Sequence, residues 1–190
     1  MKRLEVRPGF VALGCFLFYV SPLGVLLPFF ILSVLHELGH IAALSAFGVG
    51  LRRIRLGAFG TVLETGPMRP TAELVCALSG PAVNIICCFA LLRVSAGLAV
   101  LSLALGCYNL FPVYPLDGGR ALRAVLTRLP PDTAWRTEKC ISAVFVGAVG
   151  LLCLRLGLRF GHAPLLLFAV LLGHLFFERN TCCDLGAGKI

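Results

Sequence analysis

Six long apolar stretches constrain the fold of this chain more than any other feature of its sequence. A membrane-spanning helix needs about 20 mostly apolar residues, and stretches of roughly that length predict six transmembrane helices. Hydrophobic residues make up 58% of the chain and charged residues only 14%, a balance that a soluble domain of 190 residues could not bury. The same balance excludes a disordered chain. The stretches cover residues 9–27, 28–47, 71–92, 94–111, 139–156 and 163–178. The break between the first two is expected either at Ser21-Pro22-Leu23-Gly24 or at a turn near Pro28.

The sequence therefore predicts an all-α polytopic membrane protein, organised as a single membrane-embedded domain over residues 1–190. One segment departs from the helical pattern, because glycines and β-prone residues at 52–65 predict a short β-hairpin or re-entrant segment. An ordinary connecting loop is the alternative interpretation of that segment. Residues 28–125 are expected to form the core of the domain, flanked by helices at 9–27, 139–156 and 163–178.

Basic residues are distributed unevenly between the predicted loops. With the N-terminus in the cytoplasm and six crossings, most of the 17 basic residues fall on the cytoplasmic side, and Arg93, Arg155 and Arg159 fall outside. Because positive charges favour cytoplasmic loops, we expect a multi-pass protein of the cell membrane with both termini in the cytoplasm. Topology and lipid headgroups then explain the net charge of +8, and no nucleic-acid partner is expected.

Three ionisable residues, His36, Glu37 and His40, lie within five positions of the second apolar stretch. Each such residue costs on the order of 2.5–3.5 kcal/mol when a membrane helix inserts, so their clustering requires a reason. Residues four apart lie on one face of a helix, so both imidazoles can bind a single metal ion. Glu37 lies at the edge of that face, where it can contact a bound water without being a ligand. This pattern is typical of zinc hydrolases.

A catalytic zinc site normally takes a third protein ligand, and Asp117 is the best candidate. Pro112 and Pro115 prevent a regular helix before it, and Gly118-Gly119 allow the backbone to turn sharply around the carboxylate. In the predicted topology, Asp117 and the two histidines lie at similar depth near the cytoplasmic face.

Two other interpretations of the third ligand stay open from the residues alone. His162 and His174 are the remaining histidines, and either could take the place of the carboxylate. Asp117 could instead cap a helix that starts near Arg120.

Three motifs, taken in order, resemble the site-2 protease family of intramembrane zinc metalloproteases. Within that family the chain most resembles the bacterial stage IV sporulation protease branch. Members of that branch continue into a cytoplasmic nucleotide-binding CBS domain, whereas this chain stops at Ile190, so no control by ATP is expected. The motifs are His36-Glu37-Leu38-Gly39-His40, Ser79-Gly80-Pro81-Ala82-Val83-Asn84 and Asn109-Leu110-Phe111-Pro112-Val113-Tyr114-Pro115-Leu116-Asp117-Gly118-Gly119-Arg120.

The resemblance implies one zinc ion per chain, with Glu37 as the general base and three zinc ligands: His36, His40 and Asp117. It also implies that Asn109 and Pro115 hold the substrate near the metal. Asn84 matches the small-residue segment of the third span and is a further substrate-binding candidate. A hydrogen bond into the site and helix packing are the two interpretations of Asn84.

The predicted hairpin offers another way of holding a substrate. A transmembrane helix must unwind before it is cleaved, and its extended backbone then needs new hydrogen-bond partners. A strand edge within residues 56–65 could supply them by β-augmentation. Gly57 and Gly60 are the substrate-binding candidates in this segment.

The sequence thus predicts an intramembrane zinc metalloprotease that hydrolyses peptide bonds within or next to transmembrane segments, near the cytoplasmic face. Its expected partners are a membrane-protein substrate, the lipid bilayer and a regulatory membrane protein. A membrane zinc-binding or transport protein and an inactive protease-like scaffold are the alternatives. A transporter would not need Glu37 between the histidines, and inactive scaffolds often lose one residue of the ligand set.

Overall fold

A computed structural model gives the fold and describes residues 4–6, 8, 11, 15, 18–19, 23–57, 60–160, 169 and 173. Most of the described residues are helical, as the predicted class requires. Two compact units are distinguished, residues 1–109 and residues 110–190. The elements follow one another as β1 (Leu4–Val6), α1 (Leu23–Ala46), β2 (Leu51–Gly57), β3 (Gly60–Thr65), α2 (Pro70–Leu91), α3 (Ala96–Asn109), α4 (Asp117–Leu126) and α5 (Pro131–Phe160).

Three of the described helices are long and apolar enough to cross a membrane: Leu23–Ala46, Pro70–Leu91 and Pro131–Arg159. α3 has 14 residues, or about 21 Å of helix, which is shorter than the ~30 Å hydrocarbon layer. It ends at Asn109, shortly before Pro112, which cannot continue a helix. Six spans are therefore not confirmed, and the predicted spans 9–27 and 163–178 lie largely outside the described residues.

Two helices begin earlier than the spans 28–47 and 139–156 predicted for them. Of the two places predicted for the break between the first two spans, the turn near Pro28 is wrong, because α1 begins at Leu23, within the sequence segment Ser21-Pro22-Leu23-Gly24, and continues through Pro28. Pro28 removes one backbone hydrogen bond, but in apolar surroundings the other backbone groups are satisfied only if the helix continues. α5 begins well before residue 139, because Pro131 and an acidic first turn favour a helix start there.

In the first unit, α2 packs against both α1 and α3, and glycines bring the helices close together. A Cβ atom built on Gly39 of α1 would lie 2.8 Å from Val83 Cγ2 and 2.9 Å from the carbonyl oxygen of Ser79. One built on Gly106 of α3 would lie 3.1 Å from the Cβ atom of Asn84. Small residues permit this approach between membrane helices, and it places side chains of α1 directly against α2.

The first unit also contains a three-stranded sheet in which β2 is the central strand. β1 pairs with β2 in parallel along Ile54–Leu56, and β3 pairs with β2 antiparallel, with Gly57 opposite Gly60. Both sides of β2 are therefore occupied along Ile54–Leu56. Among the described strands, the open edges belong to β1 and β3.

In the second unit, α4 packs against α5. Arg123 of α4 donates two hydrogen bonds to the buried carboxylate of Glu138 on α5, at 2.8 Å from Nη2 to Oε1 and 3.1 Å from Nε to Oε2. The guanidinium carbon of Arg123 also lies 4.1 Å from the ring centre of Tyr114, in cation–π geometry. These contacts connect both helices to the irregular segment that precedes α4.

Candidate metal centre

His36 and His40 lie on the buried face of α1. Their Nε2 atoms are 3.2 Å apart. Two nitrogens bound at 2.0–2.1 Å to one tetrahedral zinc ion would lie about 3.3 Å apart. The spacing of the two imidazoles therefore fits a shared zinc ion.

Gly80 of α2 keeps the place in front of both rings free of side-chain atoms. A Cβ atom built there would overlap Nε2 of His40 and would lie 2.8 Å from Nε2 of His36. Any larger residue would thus occupy the point at which the two ring nitrogens meet. The lack of a side chain at Gly80 is a second feature that fits a bound ion.

Contacts with α2 orient both rings. Nδ1 of His40 donates a hydrogen bond to the carbonyl oxygen of Cys76 at 2.7 Å, because a carbonyl can only accept. The side-chain amide of Asn84 lies 3.2 Å from Nδ1 of His36. Partners of this kind fix the orientation of metal-binding histidines. Cys76 could not be identified from the sequence, since a backbone carbonyl leaves no signal there.

Glu37 follows His36 directly and is half-buried. One step along a helix is a rotation of about 100°, so the Glu37 side chain leaves the helix beside the face that carries both imidazoles. This is the position expected of a general base that is not a ligand. Its catalytic role stays a prediction.

Asp117 is the first residue of α4 and is 7% exposed. The helix start predicted near Arg120 is therefore wrong, and Leu116 rather than Asp117 occupies the N-cap. A carboxylate in the first turn is stabilised by the unpaired N–H groups of the helix start. The Arg120 guanidinium contacts it at 3.4 Å. The alternative ligands His162 and His174 lie outside the described residues.

Gly118 and Gly119 have a different role from the predicted one. They do not turn the chain around the carboxylate but continue α4. A Cβ atom on Gly118 would overlap the carbonyl of Leu110, and one on Gly119 would overlap the backbone of Val113 and Tyr114. The chain that precedes α4 thus lies directly on its first turn, at a distance that only glycine permits.

α5 also holds the chain that precedes Asp117. Ser142 Oγ donates a hydrogen bond to the carbonyl oxygen of Pro112 at 2.7 Å, and Pro115 is half-buried and follows Tyr114 through a cis peptide bond. Ser142 could not be identified from the sequence, because its contact depends on how α5 packs.

The other substrate-binding candidates are placed as follows. Asn109 donates from Nδ2 to the carbonyl of Leu105 at 3.0 Å, within α3. Gly57 and Gly60 face each other across β2 and β3. Asn84 contacts the predicted ligand His36. The proposed contacts of these residues with a substrate stay predictions.

Comparisons with known sequences point to zinc metalloproteases. The sequence model of Peptidase family M50 matches residues 93–153. A zinc metalloprotease from Methanocaldococcus jannaschii is 37% identical over 112 residues, which is 52% of this chain and 33% of the relative. Two further relatives carry zinc metalloprotease names. One from Synechocystis sp. is 32% identical over 111 residues, which is 50% of this chain and 29% of the relative. Rip3 from Mycobacterium tuberculosis is 34% identical over 140 residues, which is 61% of this chain and 35% of the relative.

The chain spans about a third of the length of these curated relatives. A solved structure matches over a larger share. The site-2 protease from Methanocaldococcus jannaschii has a TM-score of 0.65 and 26% identity, and the match covers 90% of each chain. Residues 93–153 thus match the model of Peptidase family M50, and the chain is similar in sequence to zinc metalloproteases and in structure to a site-2 protease.

Proposed function

We propose that the protein is an intramembrane metalloendopeptidase that hydrolyses peptide bonds within or next to transmembrane segments, near the cytoplasmic face. The observation that carries the proposal is the buried imidazole pair, with Nε2 atoms 3.2 Å apart, on a helix of membrane-spanning length. Ionisable residues at such positions are expensive and mark function. The zinc metalloprotease relatives and the solved site-2 protease support the same activity.

The proposed cofactor is one zinc ion, with His36, His40 and Asp117 as its ligands. Two imidazoles and a carboxylate are a ligand set that zinc takes at catalytic sites. The burial of all three side chains supports this assignment. When bound, zinc supplies a Lewis acid that lowers the pKa of water and stabilises negative charge on the substrate oxygen.

Glu37 is the proposed general base. Its carboxylate accepts a proton from the attacking water and then donates that proton to the nitrogen of the leaving amine. The Cys76 carbonyl keeps the His40 ring in one orientation throughout. In this proposal Glu37 transfers the protons, and other residues of the chain fix the orientation of the metal ligands.

We further propose that the substrate binds in an extended conformation at the open edge of β3. An unwound segment has unpaired backbone groups that an apolar environment cannot satisfy, and an edge strand offers complementary groups. Gly57 and Gly60 lie at the end of the β2–β3 pair. Asn109 and Pro115 are the other proposed substrate contacts. A Gly60→Pro variant is expected to bind zinc normally and cleave more slowly.

The proposed topology is a multi-pass protein of the cell membrane with both termini in the cytoplasm, which the distribution of basic residues supports. A membrane-protein substrate and a regulatory membrane protein are the proposed partners. Membership of the stage IV sporulation branch stays a prediction.

The proposal is tested by incubating the purified protein in detergent with a panel of single-span membrane substrates. We expect cleavage that a zinc chelator abolishes and added zinc restores. His36→Ala and Asp117→Ala should lose both bound zinc and cleavage. Cleavage that persists in the chelator, or in both variants, would contradict the proposal.

A further inference from the structure

A chain of polar contacts runs from α2 through both imidazoles and back to α2. It begins at the carbonyl of Cys76, 2.7 Å from His40 Nδ1. It continues through the two Nε2 atoms, 3.2 Å apart. It ends at the Asn84 amide, 3.2 Å from His36 Nδ1. Asn84 is 0% exposed, and its Oδ1 has no hydrogen-bond partner among the described residues.

The direction of hydrogen bonding is fixed at one end of this chain. The Cys76 carbonyl can only accept, so His40 carries a proton on Nδ1. In a neutral imidazole the other nitrogen then has a lone pair. The Nε2 lone pair of His40 therefore faces Nε2 of His36.

The orientation of the Asn84 amide determines which ring nitrogen of His36 carries the proton. If Nδ2 donates to His36 Nδ1, the His36 proton resides on Nε2 and can bond to His40, and the Asn84 oxygen stays buried without a partner. A half-turn of the amide exchanges Oδ1 and Nδ2. Oδ1 then accepts a proton from His36 Nδ1, and two Nε2 lone pairs face each other, an arrangement that requires a cation between them.

We propose that Asn84 is a positioning residue whose Oδ1 accepts the Nδ1–H of His36 and so directs the Nε2 lone pair of His36 at the metal. This inference rests on the proposed zinc site and adds a function for Asn84. Its role is to select the metal-binding tautomer of one ligand, as the Cys76 carbonyl does for the other. The orientation of the Asn84 amide then depends on whether zinc is bound. In the zinc-loaded protein, Oδ1 of Asn84 faces His36 Nδ1.

The test compares the apparent zinc affinity of the detergent-solubilised protein with that of three variants, by competition with a chromogenic chelator. Asn84→Ala removes the acceptor and is expected to weaken zinc binding about 10–100-fold. Asn84→Asp keeps an oxygen acceptor but removes the donor, and should bind zinc within about threefold of the unaltered protein. Asn84→Asp binding as weakly as Asn84→Ala would overturn the proposal.

Ser102→Ala is the matched control for packing. Ser102 Oγ donates to the backbone carbonyl of Asn84 at 2.8 Å and is buried at the same helix contact, but it holds Asn84 without touching the ring. The variant should lower the unfolding temperature and keep the zinc affinity within about threefold. If Ser102→Ala weakens zinc binding as much as Asn84→Ala, Asn84 acts through packing and the proposal is wrong.

A spectroscopic measurement covers the case in which Asn84→Ala does not accumulate. In zinc-loaded protein with ¹⁵N-labelled histidine, the Nδ1 proton of His36 should give a slowly exchanging signal in the unaltered protein and in Asn84→Asp. Its absence in both would overturn the role of Asn84. Failure of the unaltered protein to bind zinc would instead remove the metal site, and this inference with it.

Discussion

At Gly80 the backbone of α2 approaches the imidazoles so closely that a methyl group would overlap Nε2 of His40. We predict that Gly80→Ala pushes the rings apart and lowers the apparent zinc affinity at least about tenfold, as measured by chelator competition. Gly97→Ala is the control, because the nearest atom to its added methyl group is Ser95 Oγ at 3.7 Å. Equal zinc affinity in the two variants would mean that the rings can move aside.

Glu37→Gln separates metal binding from proton transfer. The amide is close in shape to the carboxylate but cannot accept the proton of water, so cleavage should fall about 10²–10⁴-fold. Metal analysis of the purified variant should give the same zinc content as the unaltered protein. A variant that still cleaves at the original rate would require another general base.

The chemistry at the residue scale could be predicted in part from the sequence. A four-residue spacing becomes a common face once a helix forms, so His36 and His40 could be paired without coordinates. The partners of their Nδ1 atoms could not be predicted in the same way. They depend on which face of α2 meets α1, and that is decided by close contacts such as the one at Gly39.

The start of α4 gives a prediction at the scale of elements. A methyl group on Gly119 would overlap the backbone of Val113 and Tyr114, so Gly119→Ala must displace either α4 or the chain on it. We expect the free energy of unfolding to fall by about 1–3 kcal/mol, measured by thermal unfolding in detergent.

Gly147→Ala in α5 is the control for Gly119→Ala, because nothing lies within 4 Å of the added methyl group. It should be neutral or should stabilise the helix by up to about 1 kcal/mol. If both variants unfold at the same temperature, the contact at Gly119 is not tight.

The ion pair between α4 and α5 gives a second prediction at this scale. Glu138→Gln keeps the shape of the side chain but removes the charge that Arg123 binds, and should cost about 1–3 kcal/mol of stability. The loss should depend little on salt, because Glu138 is buried. Glu5→Gln is the comparison, since the Glu5–Arg53 pair at 3.4 Å is partly exposed and should contribute about 0–1 kcal/mol.

The helices could be predicted from the sequence where a long apolar stretch is enough to indicate one. α1, α2 and α5 each contain most of a predicted span. The sequence alone could not decide between two starts for α1, because a proline such as Pro28 often ends a helix but is tolerated inside one in apolar surroundings. The pair Gly118-Gly119 likewise predicts a turn from the sequence. In the structure these positions need glycine because the backbone of the preceding segment contacts them.

At the scale of the whole molecule, large apolar side chains are exposed along the membrane-length helices. Val144, near the middle of α5, is 72% exposed. We predict that Val144→Arg disfavours insertion of this helix by about 2.5–3.5 kcal/mol, measured in a glycosylation-based insertion assay. Val144→Leu should insert normally. Equal insertion of both variants would show that this face does not contact lipid.

The class of protein could be predicted from composition, because 58% hydrophobic residues exceed what a small soluble domain can cover. The number of crossings could not be predicted as securely. An apolar stretch shows which residues tolerate lipid, but not where the helix within it ends, and α3 is shorter than the stretch from which it was predicted.

The 3.2 Å separation of the imidazole nitrogens has a practical consequence for handling the protein. We expect two imidazoles with this spacing to bind nickel and cobalt as well as zinc, since nitrogen ligands bind several divalent ions tightly. Purification on a nickel or cobalt resin would therefore exchange or contaminate the native ion. Metal content is best determined on protein isolated through a peptide or antibody tag, in buffers stripped of adventitious transition metals.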